Sequence, residues 1–240
     1  MKNKSILLQR GQRGIIVGQT GSGKTIGAIW QLQQSALSPV IILDTKGEPA
    51  FNKIARGETE PGAGDAERLE IYDDGETFLK AWKRRDQPEY IIVRPSAEEI
   101  AEPLAMDLIL TGIYNAGKSC LVYIDEAYQW HIAGRAGPGL VGLLTRGRSK
   151  GMTTLISTQR PAWISRFCFS EAQKFYIYRL SDKRDMKTLA EYIHDFSNKT
   201  VAKKHHFWYY NVDMEACLSY RPVPLPDLPE QVIDLRDKWL

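Results

Sequence analysis

The chain has 240 residues, 43% hydrophobic and 25% charged, with a net charge of +3, the size and balance of a domain that buries roughly 70–75% of its unfolded surface without staples. No apolar run reaches 18 residues, and the stretch after the basic start is only Ile6-Leu7-Leu8, so neither a membrane span nor a signal peptide is expected. Cys120, Cys168 and Cys217 are odd in number and widely spaced, which fits buried thiols in a reducing compartment and argues against a disulfide framework or a zinc site.

The first predicted strand is Gly14–Val17. It runs into Gly18-Gln19-Thr20-Gly21-Ser22-Gly23-Lys24-Thr25, and a helix follows over Lys24–Ser35. A chance match to G-x-x-x-x-G-K-[ST] in such a chain has a probability on the order of one in a hundred. The strand before it and the helix after it are the context the pattern requires. Glycines let backbone N–H groups turn inward around phosphate oxygens. The helix start adds free donors and a positive dipole end. Lys24 then reaches the β- and γ-phosphates, and the Thr25 hydroxyl ligates Mg²⁺. The segment predicts a nucleoside triphosphate site.

Strands are predicted next at Val40–Leu43, Leu69–Tyr72 and Tyr90–Val93, with a Gly/Pro/Glu-rich loop from Gly57 to Asp65 and helices over Gly75–Arg85 and Ala97–Asn115. The strand Cys120–Ile124 ends in Asp125-Glu126. Two carboxylates at the end of an apolar strand are costly unless they serve an ion or a reaction. In open α/β sheets, ligands bind at the carboxyl ends of the strands. Asp125 fits a direct or second-sphere Mg²⁺ partner, and Glu126 fits the group that orients and deprotonates the attacking water. The simpler reading is that both acids open the next helix.

A loop is predicted at Ala133–Gly139 and a helix at Gly139–Ser149, with Arg146 and Arg148 at its basic end. Either arginine suits phosphate binding, including a neighbour's nucleotide, or a helix C-terminus. The strand Thr153–Ser157 leads into Thr158-Gln159-Arg160-Pro161. The Gln159 amide is suited to sense a γ-phosphate or position water; otherwise it is a turn residue before proline. A strand at Lys174–Tyr178 and a helix at Lys183–His194 follow. Lys203 to Tyr210 reads as an edge strand with a basic flank or an aromatic nucleic-acid surface. From Arg146 to Lys187 there are ten Lys/Arg against three Asp/Glu, a net of +7, which points weakly to a polyanionic partner. Arg221–Pro229 contains four prolines and reads as an extended tail. Buried strands alternating with helices predict an α/β fold, a mostly parallel sheet with helices on both faces. One domain over 1–220 and a Pro-rich tail over 221–240 are expected.

The phosphate loop, Val-Tyr-Ile-Asp-Glu-Ala, and Arg-Gly-Arg-Ser-Lys-Gly-Met-Thr-Thr-Leu-Ile-Ser-Thr-Gln-Arg-Pro together resemble the FtsK/HerA superfamily of DNA-pumping ATPases. Ile42-Leu43-Asp44-Thr45-Lys46-Gly47-Glu48 resembles its second-strand motif, and the similarity runs from about Gly14 to Arg179. Within the superfamily, a compact chain resembles the packaging ATPases of tailless, membrane-containing double-stranded DNA viruses. The resemblance implies a RecA-like (ASCE) P-loop NTPase fold and ATP with Mg²⁺. It implies Lys24 and Thr25 on the triphosphate and metal, Asp125 and Glu126 as the Walker B pair with Glu126 the base, and Gln159 as γ-phosphate sensor. Arg148, with Arg146 as the alternative, matches the arginine that reaches a neighbour's nucleotide. It further implies a hexameric ring around double-stranded DNA, capsid vertex proteins as partners, and a place in the host cytoplasm or at the virion packaging vertex. Pore loops have no motif; Arg135 and Lys183-Arg184 are candidates.

Other functions remain open on sequence: a non-motor P-loop ATPase of phage morphogenesis or secretion, resembling Zot-type factors, or a conjugation or helicase-type DNA pump. A nucleotide kinase is disfavoured, because Glu126 and Gln159 would activate water beside the γ-phosphate.

Overall fold

A computed structural model describes residues 6–54, 68–194, 196, 199 and 203–224. In chain order the described elements are β1 (Arg13–Val17), α1 (Lys24–Gln34), β2 (Val40–Leu43), β3 (Leu69–Tyr72), α2 (Gly75–Trp82), β4 (Tyr90–Val93), α3 (Ala97–Ala101), α4 (Pro103–Ala116) and β5 (Leu121–Ile124). There follow a small hairpin of β6 (His131–Ile132) and β7 (Arg135–Ala136), α5 (Pro138–Val141), β8 (Thr153–Thr158), α6 (Arg166–Ser170), β9 (Lys174–Ile177), α7 (Lys183–Ala190), β10 (Phe207–Asn211) and β11 (Ala216–Tyr220).

Nine strands form one sheet in the order β11-β10-β9-β1-β8-β5-β2-β4-β3. Seven neighbours, β9 through β3, are parallel, and β10 and β11 close one edge as an antiparallel hairpin. The four-residue apolar runs are buried because both faces of the sheet are covered. Side chains alternate along each strand. Ile16, Ile42, Ile92, Tyr123 and Leu155 pack on one face with Ala28, Ile29 and Leu32 of α1. Val17, Leu43, Val93, Ile124 and Ile156 pack on the other with Phe78, Trp82, Met106, Ile109 and Leu140 from α2, α4 and α5. β1 lies between β8 and β9; the chain passes from β1 to β2 toward one edge of the sheet and from β8 to β9 toward the other. The crevice at the carboxyl ends of β9, β1, β8 and β5 is therefore the switch point where such sheets bind ligands.

The structure departs from the sequence reading in a few places. The helix expected over Ala97–Asn115 is two, because Glu102 precedes Pro103 and is extended (φ −113°, ψ 96°); a residue before proline avoids the helical region, and proline restarts the next helix at its first position. The helix expected over Gly139–Ser149 is only α5, then a wide turn over Gly142–Arg146 and a tight one over Gly147–Lys150. Its glycines serve close packing: a Cβ on Gly139 would lie 2.5 Å from the Thr111 backbone nitrogen. Buried Asp107 of α4 accepts the Gly139 N–H at 3.0 Å. The loop expected at Ala133–Gly139 includes β7. The run at Lys203–Tyr210 contributes β10, second from the edge, and β11 is the edge strand. Gly57–Asp65 and residues 225–240 of the expected tail lie outside the described residues. Cys120 and Cys168 are buried, and Cys217 is half-buried. No helix among the described residues is long and apolar enough to cross a membrane.

Candidate functional site

The loop Gly18–Gly23 is tethered on both sides: Gly18 N donates to the Thr158 carbonyl of β8 at 3.3 Å, and Gln19 N to the Arg179 carbonyl beyond β9 at 2.8 Å. Gly18 has φ +158°, and a Cβ there would lie 2.6 Å from the Tyr178 Cβ. Gly23, at φ +103°, precedes α1 and leaves it without a side-chain cap, so the helix offers its free N–H groups to an anion. The Ser22 hydroxyl is buried with no hydrogen-bond partner. An orphaned hydroxyl inside a ring of donors fits a phosphate group.

Lys24 is 8% exposed, and its Nζ donates to the Gln19 carbonyl at 3.2 Å. Burial drives its pKa down to about 8; Lys46 pushes the same way, while Glu126 and Asp125 oppose. Those four groups form one cluster at the sheet edge.

Asp125 and Glu126 leave the end of β5, and both are buried. Asp125 Oδ1 accepts from the Tyr123 hydroxyl at 3.0 Å and the Ser157 hydroxyl at 3.1 Å. Burial raises the Asp125 pKa, with Lys46 opposing and Glu126 adding its like charge. Glu126 adopts left-handed backbone (φ 45°, ψ 63°), a conformation that costs a non-glycine residue roughly 1–3 kcal/mol and recurs at functional sites. Its Oε1 accepts from Gln159 Nε2 and from Lys46 Nζ, both at 2.6 Å. Its Oε2 is buried without a partner. Gln159, just past β8, accepts from the Thr20 hydroxyl of the phosphate loop through its Oε1. A continuous chain thus runs Thr20–Gln159–Glu126–Lys46.

Lys46 had no role in the sequence reading. Its signal was the Asp44-Thr45-Lys46-Gly47-Glu48 turn, but the contact depends on β2 lying beside β5. Fully buried Asp44 shapes that turn: its Oδ1 accepts the Lys46 and Glu48 N–H groups at 3.2 and 3.1 Å, and its Oδ2 pairs with Arg94 at 3.2 Å.

The arginines are not brought to this cluster. Arg148 is exposed, and its Cγ lies 3.0 Å from where a Cβ on Gly11 would stand, ahead of β1. That is the opposite edge of the sheet, roughly 20 Å away along a six-residue strand. Arg146 faces the Tyr114 ring at 5.5 Å. The basic stretch is dispersed: Arg160 is near Asp182 and Asp185, and Arg166 pairs with Glu191. Arg135 is exposed on β7, and Lys183-Arg184 open α7.

β8 separates the phosphate-loop strand from the acidic strand and carries Gln159 at its end, so the protein is a RecA-like P-loop ATPase of the additional-strand class. No family model matches the sequence. The DNA packaging ATPase P9 of Enterobacteria phage PRD1 is 30% identical over 238 residues, covering 95% of this chain and 94% of P9. The chain belongs to that family of viral DNA-packaging ATPases. Its fold matches the genome packaging NTPase B204 of Sulfolobus turreted icosahedral virus 2, solved with ATP-gammaS (TM-score 0.64, 15% identity, 89% of this chain and 98% of B204). It also matches VirB4 of Thermoanaerobacter pseudethanolicus (TM-score 0.59, 10% identity, 89% and 90%).

Proposed function

We propose that this chain is the motor that uses ATP hydrolysis to drive double-stranded DNA into a viral capsid. The observation that carries the hydrolytic part is Glu126, a buried carboxylate at the end of β5 with one oxygen fixed by two donors and the other without a partner. A free carboxylate oxygen at that position accepts the proton of an attacking water.

The backbone of Gly18–Thr25 cradles the phosphates, and Lys24 sits against the β- and γ-phosphate oxygens. Thr25 and Asp125 hold Mg²⁺. The Tyr123 and Ser157 hydroxyls fix the Asp125 carboxylate for that task. Bound Mg²⁺ supplies charge stabilisation on the phosphate oxygens. Gln159 links Thr20 to Glu126 and reports whether a γ-phosphate fills the loop. Arg148, with Arg146 as the alternative, reaches the nucleotide of the next subunit, which its place on the far edge supports. The working form is a ring, a hexamer, with DNA in its channel, acting at the packaging vertex against capsid proteins. Relatedness across nearly the full length of a packaging ATPase favours this reading over a non-motor ATPase or a conjugation pump.

The test is ATP turnover measured with and without double-stranded DNA, beside the oligomer mass. Turnover should rise with DNA of any sequence and fall with salt, since backbone contacts release counterions. Monomers indifferent to DNA would overturn the motor reading.

A further inference from the structure

Lys46 lies at the end of β2, on the strand beside the one that carries Glu126. Its side chain is 40% exposed, whereas that of Glu126 is 2% exposed. A buried carboxylate needs compensation, and Glu126 receives it on one oxygen only: Lys46 Nζ and Gln159 Nε2 both reach Oε1 at 2.6 Å. The amide orientation of Gln159 follows from its neighbours, since its oxygen takes the Thr20 hydroxyl and its nitrogen must face a carboxylate. The two donors occupy the lone pairs of Oε1 and fix the plane of the carboxylate. Oε2 is left as the proton acceptor.

We infer that Lys46 is a positioning residue for the hydrolytic reaction: with Gln159 it clamps Glu126 Oε1 so that Oε2 faces the attacking water. The inference rests on the proposed role of Glu126 as base. It assigns the Asp44–Glu48 turn a function, with the buried Asp44 carboxylate holding the turn that delivers Lys46. It also makes the base responsive to the nucleotide loop, because Thr20 at the loop tip holds the far end of the same chain of hydrogen bonds. Lys46 acts through Glu126 and forms no bond in the reaction. A charged donor at this distance is needed; a methionine of similar length leaves Glu126 held by Gln159 alone.

Steady-state ATP turnover of the assembled protein tests this with K46M, K46R, E126Q and the E126Q/K46M double variant, each checked by thermal melting. K46M should lower kcat roughly tenfold to a hundredfold, the effect of a misplaced catalytic group. KM for ATP should change less than about threefold, and K46R should restore most of kcat. On the E126Q background K46M should cost nothing further, because the group it positions is gone. K46Q, which keeps a neutral donor, serves if K46M melts early and should fall between K46M and wild type. Wild-type kcat in K46M, or no rescue by K46R, overturns the role of Lys46; if E126Q is inactive in the same series, the base reading survives. Near-wild-type turnover in E126Q overturns the base reading and the Lys46 inference with it.

Discussion

Gln159 and Glu126, 33 residues apart in the chain, meet at 2.6 Å across the ends of the adjacent strands β8 and β5. The Thr20 hydroxyl completes the contact from the phosphate loop. With Glu126 as the proposed base, an amide between it and the loop gives a route by which an added γ-phosphate alters the group proposed to activate water. Gln159→Ala should therefore lower kcat more than it weakens ATP binding, and steady-state kinetics with equilibrium nucleotide binding separates the two.

Lys24 gives a proton signature. Its pKa of about 8 in the nucleotide-free site means it is largely neutral above that pH. Phosphate charge raises the value, so binding takes up a proton in the window above pH 8, and affinity falls as pH rises through it. Calorimetry of ATP binding at about pH 8.5 in buffers of different ionisation enthalpy should show that uptake; heats independent of buffer would contradict it.

Arg148 stands on the sheet edge opposite its proposed target, so its effect must appear between subunits. Arg148→Ala and Glu126→Gln preparations should each be inactive, and mixed rings should regain turnover where an intact arginine meets an intact base. Arginine fingers are worth about 10³–10⁵ in rate, so even a minority of repaired sites is measurable. Mixed rings with no regained turnover would remove Arg148 from the site.

His131 makes stability depend on pH. It is buried; its Nδ1 meets the Ala127 carbonyl at 2.6 Å and its Nε2 accepts the Ser165 N–H at 3.0 Å, so the neutral ring satisfies both partners. Burial lowers its pKa from the ordinary 6.5, against the opposing pull of the Ala127 carbonyl. The unfolded chain then takes the proton first. The contribution is complete above pH 6.5 and is lost as pH falls through the lowered folded value. His131→Gln should lower Tm at neutral pH and flatten the decline of Tm between about pH 7 and 5; a decline as steep as wild type would count against this.

Gly27 in α1 is small because Tyr178 crosses it: a Cβ there would lie 2.1 Å from the Tyr178 hydroxyl and 2.9 Å from Cζ. The ring cannot yield, being stacked on Phe207 at 5.1 Å. Gly27→Ala should cost about 1–3 kcal/mol by overpacking, despite alanine's better helix propensity. Tyr178→Phe should recover part of the loss in melting experiments.

The strands β1, β2, β4, β5, β8 and β9 were readable because each is a short run buried on both faces, whereas the two-residue strands of the β6–β7 hairpin carry no such run; the phosphate loop was readable because its glycines and lysine sit between a strand and a helix. Pro103 carried the signal for the break between α3 and α4, which a continuous helical reading passed over. β11 was not readable: Ala216–Tyr220 is a half-exposed edge strand without a clear alternation. Glu126 and Gln159 were legible as strand-end residues. Lys46 was not, because its contact depends on the sheet order that sets β2 beside β5. The far-edge position of Arg148 likewise comes from the fold and not from its neighbours in the chain.

The most direct test of the account compares ATP binding and ATP hydrolysis in Glu126→Gln. The substitution keeps size and hydrogen bonding but removes the base, and general bases contribute roughly 10²–10⁴ in rate. Hydrolysis should fall by at least about a hundredfold with nucleotide binding retained within a few-fold. Hydrolysis near the wild-type rate would contradict the role of Glu126 as base.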